Sequence, residues 1–94
     1  MSAVHVIVVG RVQGVGFRAW VEHEARARRL AGWVRNRADG SVEALVQGDD
    51  ESVAALVAWA RRGPRLAHVD DVRDDPVTPA HDRPYADFAI WPSA

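Results

Sequence analysis

The sequence contains no cysteine and no lysine, and both absences limit the chemistry of the chain. Without cysteine there is no disulfide, no thiolate ligand for a metal and no thiol nucleophile. Without lysine there is no Schiff-base nucleophile. Any cationic contact with a phosphate group must therefore come from the 12 basic residues, all of which are arginine.

A large excess of basic charge and a long apolar segment are also absent. The formal net charge is −1 at pH 7, which argues against a general nucleic-acid-binding surface. No segment reaches the roughly 20 apolar residues that cross a bilayer, and residues 1–3 lack the basic and apolar regions of a signal peptide. We expect a single domain spanning residues 1–94, a cytoplasmic monomer with no nucleic-acid or membrane partner.

A glycine-rich stretch, GRVQGVGFR at residues 10–18, joins two strongly patterned segments. The β-branched run at residues 4–9 before it predicts a strand, and the amphipathic run after it predicts a helix. In such a turn several backbone N–H groups can point at one anion, and the helix start adds the positive end of its dipole. Arg18 can contribute a planar guanidinium that contacts two phosphate oxygens. The stretch predicts a phosphate site, and the alternative is a tight turn whose glycines serve only packing.

The rest of the chain alternates between strand and helix patterns. Asp39-Gly40 is a strong hairpin signal, and a second helix has its start signal in Asp49-Asp50-Glu51 and its end signal in Arg61-Arg62-Gly63-Pro64. The predicted elements are a strand at 4–9, a helix at 18–30, strands at 32–37 and 42–48, a helix between its start signal at 49–51 and its end signal at 61–64, and short strands at 67–73 and 85–91. This order, βαββαβ plus a short last strand, predicts an α+β ferredoxin-like split βαβ fold, with an antiparallel sheet and both helices on one face.

Other residues that could carry chemistry have simpler explanations. His5 has no second histidine at ligand spacing, so we expect an ordinary strand residue on the less buried face. Trp20 is expected to fill the core. Four later carboxylates lack the glycine and the ligand period of a calcium loop and are interpreted as exposed charges: Asp70, Asp71, Asp74 and Asp75. We expect no metal and no cofactor.

Two motifs make the chain resemble the acylphosphatase family. The first is Val8-x-Gly10-x-Val12-Gln13-Gly14-Val15-x-Phe17-Arg18, and the second is Gly32-Trp33-Val34-Arg35-Asn36-x-x-x-Gly40-x-Val42. The Gly63-Pro64 turn and the late Phe88-x-Ile90 also resemble the family, so the similarity covers nearly the whole chain. One departure lies at the end of the first helix, where the family usually has Leu-Gly-Leu and this chain has no glycine in Ala27-Arg28-Arg29-Leu30-Ala31. We expect an altered helix exit and a cost in stability.

The resemblance implies hydrolysis of the carboxyl–phosphate anhydride of a small acyl phosphate, without metal, to a carboxylate and inorganic phosphate. By position, Arg18 would bind the phosphoryl group and Asn36 would position the attacking water. The backbone N–H groups that share in phosphate binding would be those of Gln13, Gly14, Val15, Gly16 and Phe17. This chemistry is plausible because phosphoryl transfer mainly requires placement and charge stabilisation, and a neutral carboxamide can orient water without repelling phosphate.

Several alternatives stay open. The same cradle could serve a non-catalytic module that senses phosphate or an acyl phosphate, and a single-stranded RNA binder would need exposed aromatics and a basic face. Arg18 could form a structural salt bridge, and Asn36 could cap the turn before Asp39-Gly40. Arg11, Arg35 and Arg37 are interpreted as solvent-facing charges that attract an anionic substrate. Similar segments occur inside larger carbamoyl-transfer maturation proteins, but the chain length and the lack of zinc-finger cysteines favour a stand-alone enzyme.

Overall fold

A computed structural model describes all residues from 1 to 94, which form five strands and two helices. In chain order the elements are β1 (Ser2–Arg11), α1 (Phe17–Ala27), β2 (Ala31–Asn36), β3 (Val42–Gly48), α2 (Asp50–Arg62), β4 (His68–Asp75) and β5 (Phe88–Ile90). The strands form one sheet in the order β4-β1-β3-β2-β5. Neither helix is long and apolar enough to cross a membrane.

The sheet has the predicted split βαβ arrangement. β3 pairs antiparallel with both β1 and β2, and β4 pairs antiparallel with β1. The appended strand β5 runs parallel to β2, which makes the complete sheet mixed. The α+β fold class is confirmed, and the antiparallel description applies to β1 through β4.

One face of the sheet packs against both helices, as predicted. Alternate strand residues such as Val8, Val34 and Ala44 share a buried cluster with Val21 of α1 and Leu56 of α2. Trp20 packs against this cluster but is only partly buried. Because side chains alternate along a strand, the residues between these lie on the opposite face, here called the back face.

The back face is covered by the chain after β4, whose position the sequence did not predict. Trp33 on β2 is completely buried there. Trp91 stacks on it with ring centroids 4.4 Å apart, the His81 ring lies 5.0 Å away, and Trp33 Nε1 donates to Tyr85 Oη at 3.2 Å. The central strands therefore expose no aromatic platform for stacking RNA bases.

His5 is also buried on the back face, with 7% of its surface exposed, so the expectation that it lies on a less buried face is wrong. It shares a buried polar cluster with Glu43: Nε2 of His5 lies 2.6 Å from one carboxylate oxygen, and Arg35 Nε donates to the other at 2.6 Å. Burial raises the pKa of Glu43, but the hydrogen bonds and charges of Arg35 and His5 outweigh burial and hold the pKa below its ordinary value.

The end of α1 shows how the chain manages without the family's glycine. The helix ends at Ala27, earlier than predicted, and Arg29 adopts a left-handed conformation with φ 58°. Arg29 N donates to Arg26 O and Leu30 N donates to Ala25 O, which is the hydrogen-bond pattern of a Schellman motif. The helix exit keeps a glycine-type geometry, so the cost of the substitution is backbone strain at Arg29.

We predict that Arg29→Gly stabilises the protein. Relief of the left-handed strain should raise the free energy of unfolding by about 0.5–1 kcal/mol after the added flexibility of the unfolded chain is subtracted. Urea denaturation followed by tryptophan fluorescence measures this. Arg26→Gly, inside the same helix, is the matched control and should destabilise by about 1 kcal/mol. A destabilising Arg29→Gly would contradict the assignment of strain.

Glu43→Gln should lower the free energy of unfolding at pH 7 by about 2–3 kcal/mol, because Arg35 and His5 lose a buried charged acceptor. A lowered folded-state pKa means that the carboxylate stabilises the fold above its ordinary pKa, and that this contribution is lost as pH falls through the lowered value. The difference from wild type should therefore shrink on acidification below the ordinary glutamate range.

Denaturation midpoints measured from neutral to acidic pH test this pH dependence. Asp71→Asn is the control, because the Asp71 contact with Arg73 is exposed and its loss should barely move the midpoint. A wild-type advantage that stays constant into acid would contradict the role given to Glu43.

Candidate active site

The predicted site residues lie at one edge of the sheet. β1 and β2 both run antiparallel to β3, which lies between them, so they share a direction and their carboxyl ends lie at the same edge. Val8 of β1 pairs with Val42, and Val42 pairs with Asn36 at the end of β2. The segment 12–16, here called the glycine loop, leaves this edge and leads into α1.

Backbone conformation explains the glycines of this loop. Gly14 and Gly16 have φ angles of 74° and 79°, in the left-handed region that a residue with a Cβ enters at a cost. A Cβ placed on either residue would meet no atom within 4 Å. Tight packing is therefore not the reason for these glycines, and the loop has open space beside it.

The start of α1 suits an anion. Gly16 occupies the N-cap position without a capping side chain, and the first turn contains no acidic residue. The N–H groups of a first helical turn have no partners inside the helix, and the helix dipole places partial positive charge there. No carboxylate of the first turn offsets that charge.

Arg18 is the second residue of α1, because the helix begins at Phe17, one residue earlier than predicted. Helical spacing places it on the side of Val21 and Ala25, which are buried against the sheet, and Arg18 itself is partly buried. Its guanidinium takes part in none of the ion pairs or side-chain hydrogen bonds within the protein. The alternative of a structural salt bridge is therefore not realised.

Asn36 ends β2 and shares its strand face with Val34, which points toward the helices. Its side-chain oxygen Oδ1 is buried and has no hydrogen-bond partner in the protein, while its backbone oxygen accepts from Ala94 N at 2.9 Å. A buried acceptor without a partner is costly and uncommon, so this atom calls for a functional explanation.

The adjacent turn does not use Asn36 as a cap. Asp39 Oδ1 accepts from Ser41 N at 2.9 Å and from Ser41 Oγ at 2.5 Å. The Ser41 side-chain hydrogen bond, together with the Ser41 backbone hydrogen bond, lowers the pKa of Asp39. The Asn36 carboxamide is thus left out of the structure of the turn.

The other loop residues divide into anchors and open positions. Phe17 is buried in the core and Val15 packs against it, whereas Gly14 and Gly16 are exposed. Gln13 is partly buried, and its side chain hydrogen-bonds to the hairpin that follows Asn36. The sequence assigned only the backbone of Gln13 to the site and gave no signal for this long-range contact.

Arg35 corrects another expectation. It does not face solvent beside the site but lies on the back face, where it binds Glu43 and places its guanidinium carbon 4.9 Å from the centre of the Trp33 ring. Arg11 is exposed at the end of β1, and Arg37 is partly buried. A contribution of Arg11 and Arg37 to the positive potential near the loop stays a prediction.

No group of three or more histidine, aspartate and glutamate side chains is arranged to hold a metal ion. The carboxylates Asp70, Asp71, Asp74 and Asp75 are all exposed along β4. Two of them contact basic neighbours at the surface, Asp70 with His68 and Asp71 with Arg73. These acidic residues are solvated strand charges, as the sequence indicated.

Comparison with known proteins agrees with this geometry. A family model described as Acylphosphatase matches residues 4–90. The acylphosphatase of Thiobacillus denitrificans is 61% identical over 72 residues, which cover 77% of this chain and 81% of that protein. The crystal structure of acylphosphatase from Bacillus subtilis matches with a TM-score of 0.79 and 41% sequence identity, and the match covers 97% of this chain and 99% of the Bacillus subtilis chain.

A second solved structure, an acylphosphatase from Coxiella burnetii, matches with a TM-score of 0.87 and 36% sequence identity, and the match covers 96% of this chain and 92% of the Coxiella burnetii chain. The structural similarities therefore extend over nearly the whole length of both chains, and the sequence similarity to the Thiobacillus protein extends over more than three quarters of each. The family model spans both helices and all the strands except the first two residues of β1, and it includes the glycine loop and Asn36. The chain belongs to the acylphosphatase family.

Proposed function

We propose that this chain hydrolyses the carboxyl–phosphate anhydride of a small acyl phosphate, and that Arg18 and Asn36 carry the reaction. The observation that best supports this is the buried, unpartnered Oδ1 of Asn36 at the sheet edge from which the glycine loop leaves. A protein that only bound phosphate would need the loop and Arg18 but would have no use for this acceptor.

Binding of the phosphoryl group uses the loop and the arginine together. The N–H groups of residues 13–17 and the guanidinium of Arg18 surround an anion with donors, and the first turn of α1 adds its dipole. All of these groups come from one short segment, so phosphate binding depends little on the rest of the site. Arg18 also offsets the charge on the equatorial oxygens during transfer.

The attack uses Asn36. A water that donates a hydrogen bond to Asn36 Oδ1 has a lone pair free to point at phosphorus. The new P–O bond forms in line with the leaving carboxylate as the bond between phosphorus and the acyl oxygen breaks, and the water proton passes to phosphate or to solvent. A carboxylate leaves without a proton, so no strong general acid is needed.

The acting unit in this proposal is a monomer, because the loop, Arg18 and Asn36 all belong to one chain. We place the reaction in the cytoplasm, with a small acyl phosphate as the partner and no cofactor. The competing function is a sensing module that binds phosphate or an acyl phosphate and does not hydrolyse it. The two functions differ in turnover.

Benzoyl phosphate should be hydrolysed rapidly by the wild type in the presence of a chelator, with phosphate release as the readout. Arg18→Ala should lower kcat/KM by about 100-fold or more and remove inhibition by inorganic phosphate, because the charge that binds the anion is lost. Asn36→Ala should lower kcat by about 100-fold but keep the phosphate inhibition constant within about twofold, because the water loses its orientation while the anion site is intact.

Arg61→Ala provides the matched control. Arg61 is an exposed arginine of α2 that lines a surface groove with Ser2 and Asp74 and belongs to no part of the proposed site, so its loss should leave both kinetic constants unchanged. Equal loss of phosphate inhibition in the Arg18 and Asn36 variants would contradict the division of roles. A folded wild type that binds phosphate without releasing it from benzoyl phosphate would favour the sensing module.

A further inference from the structure

We propose that the Gln13 side chain is a positioning residue that fixes Asn36 relative to the glycine loop, an inference that rests on the function proposed above. Gln13 Nε2 donates two hydrogen bonds, to Arg37 O at 2.8 Å and to Ser41 O at 2.9 Å. Both amide protons of the carboxamide are thus used on backbone oxygens of the β2–β3 hairpin.

These two oxygens belong to the turn that immediately follows Asn36. Ser41 O also accepts from Arg37 N at 2.9 Å, and Arg37 O also accepts from Gly40 N at 3.1 Å. The turn is closed from within by these bonds, and Gln13 attaches it from outside to the glycine loop. The residue next to Asn36 is therefore held by a side chain of the anion loop.

No other hydrogen bond joins the loop to the hairpin. Residues 12–15 make no backbone–backbone hydrogen bond, and Gln13 is the only residue of the glycine loop with a side-chain hydrogen bond. The loop is otherwise held by apolar packing of Val12, Val15 and Phe17. The sheet ladder already holds Asn36 next to Val42. Apolar packing is less directional than a hydrogen bond, so the polar link through Gln13 is the directional contact that aligns the loop with the turn after Asn36.

This arrangement separates binding from attack. The phosphoryl group is held by residues 13–18, which are contiguous, whereas the water is held by Asn36 on the hairpin. Without the Gln13 link, the loop still binds phosphate but the water is less accurately aligned with phosphorus. A displacement of about 1 Å in such a geometry can cost up to about 100-fold in rate.

The experiment measures kcat for benzoyl phosphate and the inhibition constant of inorganic phosphate in Gln13→Ala and Gln13→Met. Methionine fills the same space but cannot donate, so it isolates the hydrogen bonds and provides a second variant if alanine impairs folding. Each variant should lower kcat by about tenfold or more and leave the phosphate inhibition constant within about twofold.

A double-mutant comparison tests whether Gln13 acts through Asn36. In an Asn36→Ala background, Gln13→Met should cause almost no further loss of kcat, because the water is already unpositioned. Gln47→Ala is the matched control: Gln47 also donates from its carboxamide to a backbone oxygen, that of Arg83 at 2.6 Å, but on the back face. Its kcat should equal that of the wild type.

Three results would overturn the inference while leaving the proposed function intact: an unchanged kcat in Gln13→Met, an equal loss of kcat with and without Asn36, or a loss of phosphate binding as large as the loss of kcat. The wild-type rate decides the proposed function separately. If the wild type does not hydrolyse benzoyl phosphate, the proposed function fails and the inference fails with it.

Discussion

The position of β3 between β1 and β2 is the constraint on which the site depends. Because both neighbours pair antiparallel with β3, their carboxyl ends lie at one edge, and residues that are 18 positions apart in sequence, Arg18 and Asn36, belong to the same end of the sheet. The helix that follows β1 starts at this edge and brings its unpaired N–H groups there. The phosphate binding and water placement that we propose then require only short segments added to a rigid sheet.

The two sheet faces support that edge in different ways. The helix face is an apolar cluster that contains Phe17, the residue after the glycine loop, and against which Val15 of the loop packs. The back face buries Glu43 between His5 and Arg35 under the aromatic residues of the last segment. The loop itself needs left-handed glycines, and its residues 12–15 make no backbone–backbone hydrogen bond, so its order comes from these neighbours. A flexible sequence is thereby held in one conformation by a well-packed scaffold.

Local signals made much of this fold predictable. Strand alternation, the Asp39-Gly40 turn and the capping residues Asp49 and Gly63 act over a few residues, and the elements that they predicted are present. The contacts that were missed are long-range. The burial of His5 depends on the path of a segment some 75 residues later, and the Gln13 link joins it to residues 24 and 28 positions away. Periodicity contains no information about such partners.

The central claim, that the glycine loop and Arg18 form the phosphate site, is tested most directly by titrating 15N-labelled protein with inorganic phosphate and following the backbone amide shifts. We predict saturable shifts that are largest for residues 13–18 and that disappear in Arg18→Ala, because the anion accepts hydrogen bonds from those N–H groups. Shifts that occur instead at exposed arginines such as Arg61 and Arg62, with the loop unchanged, would contradict the account.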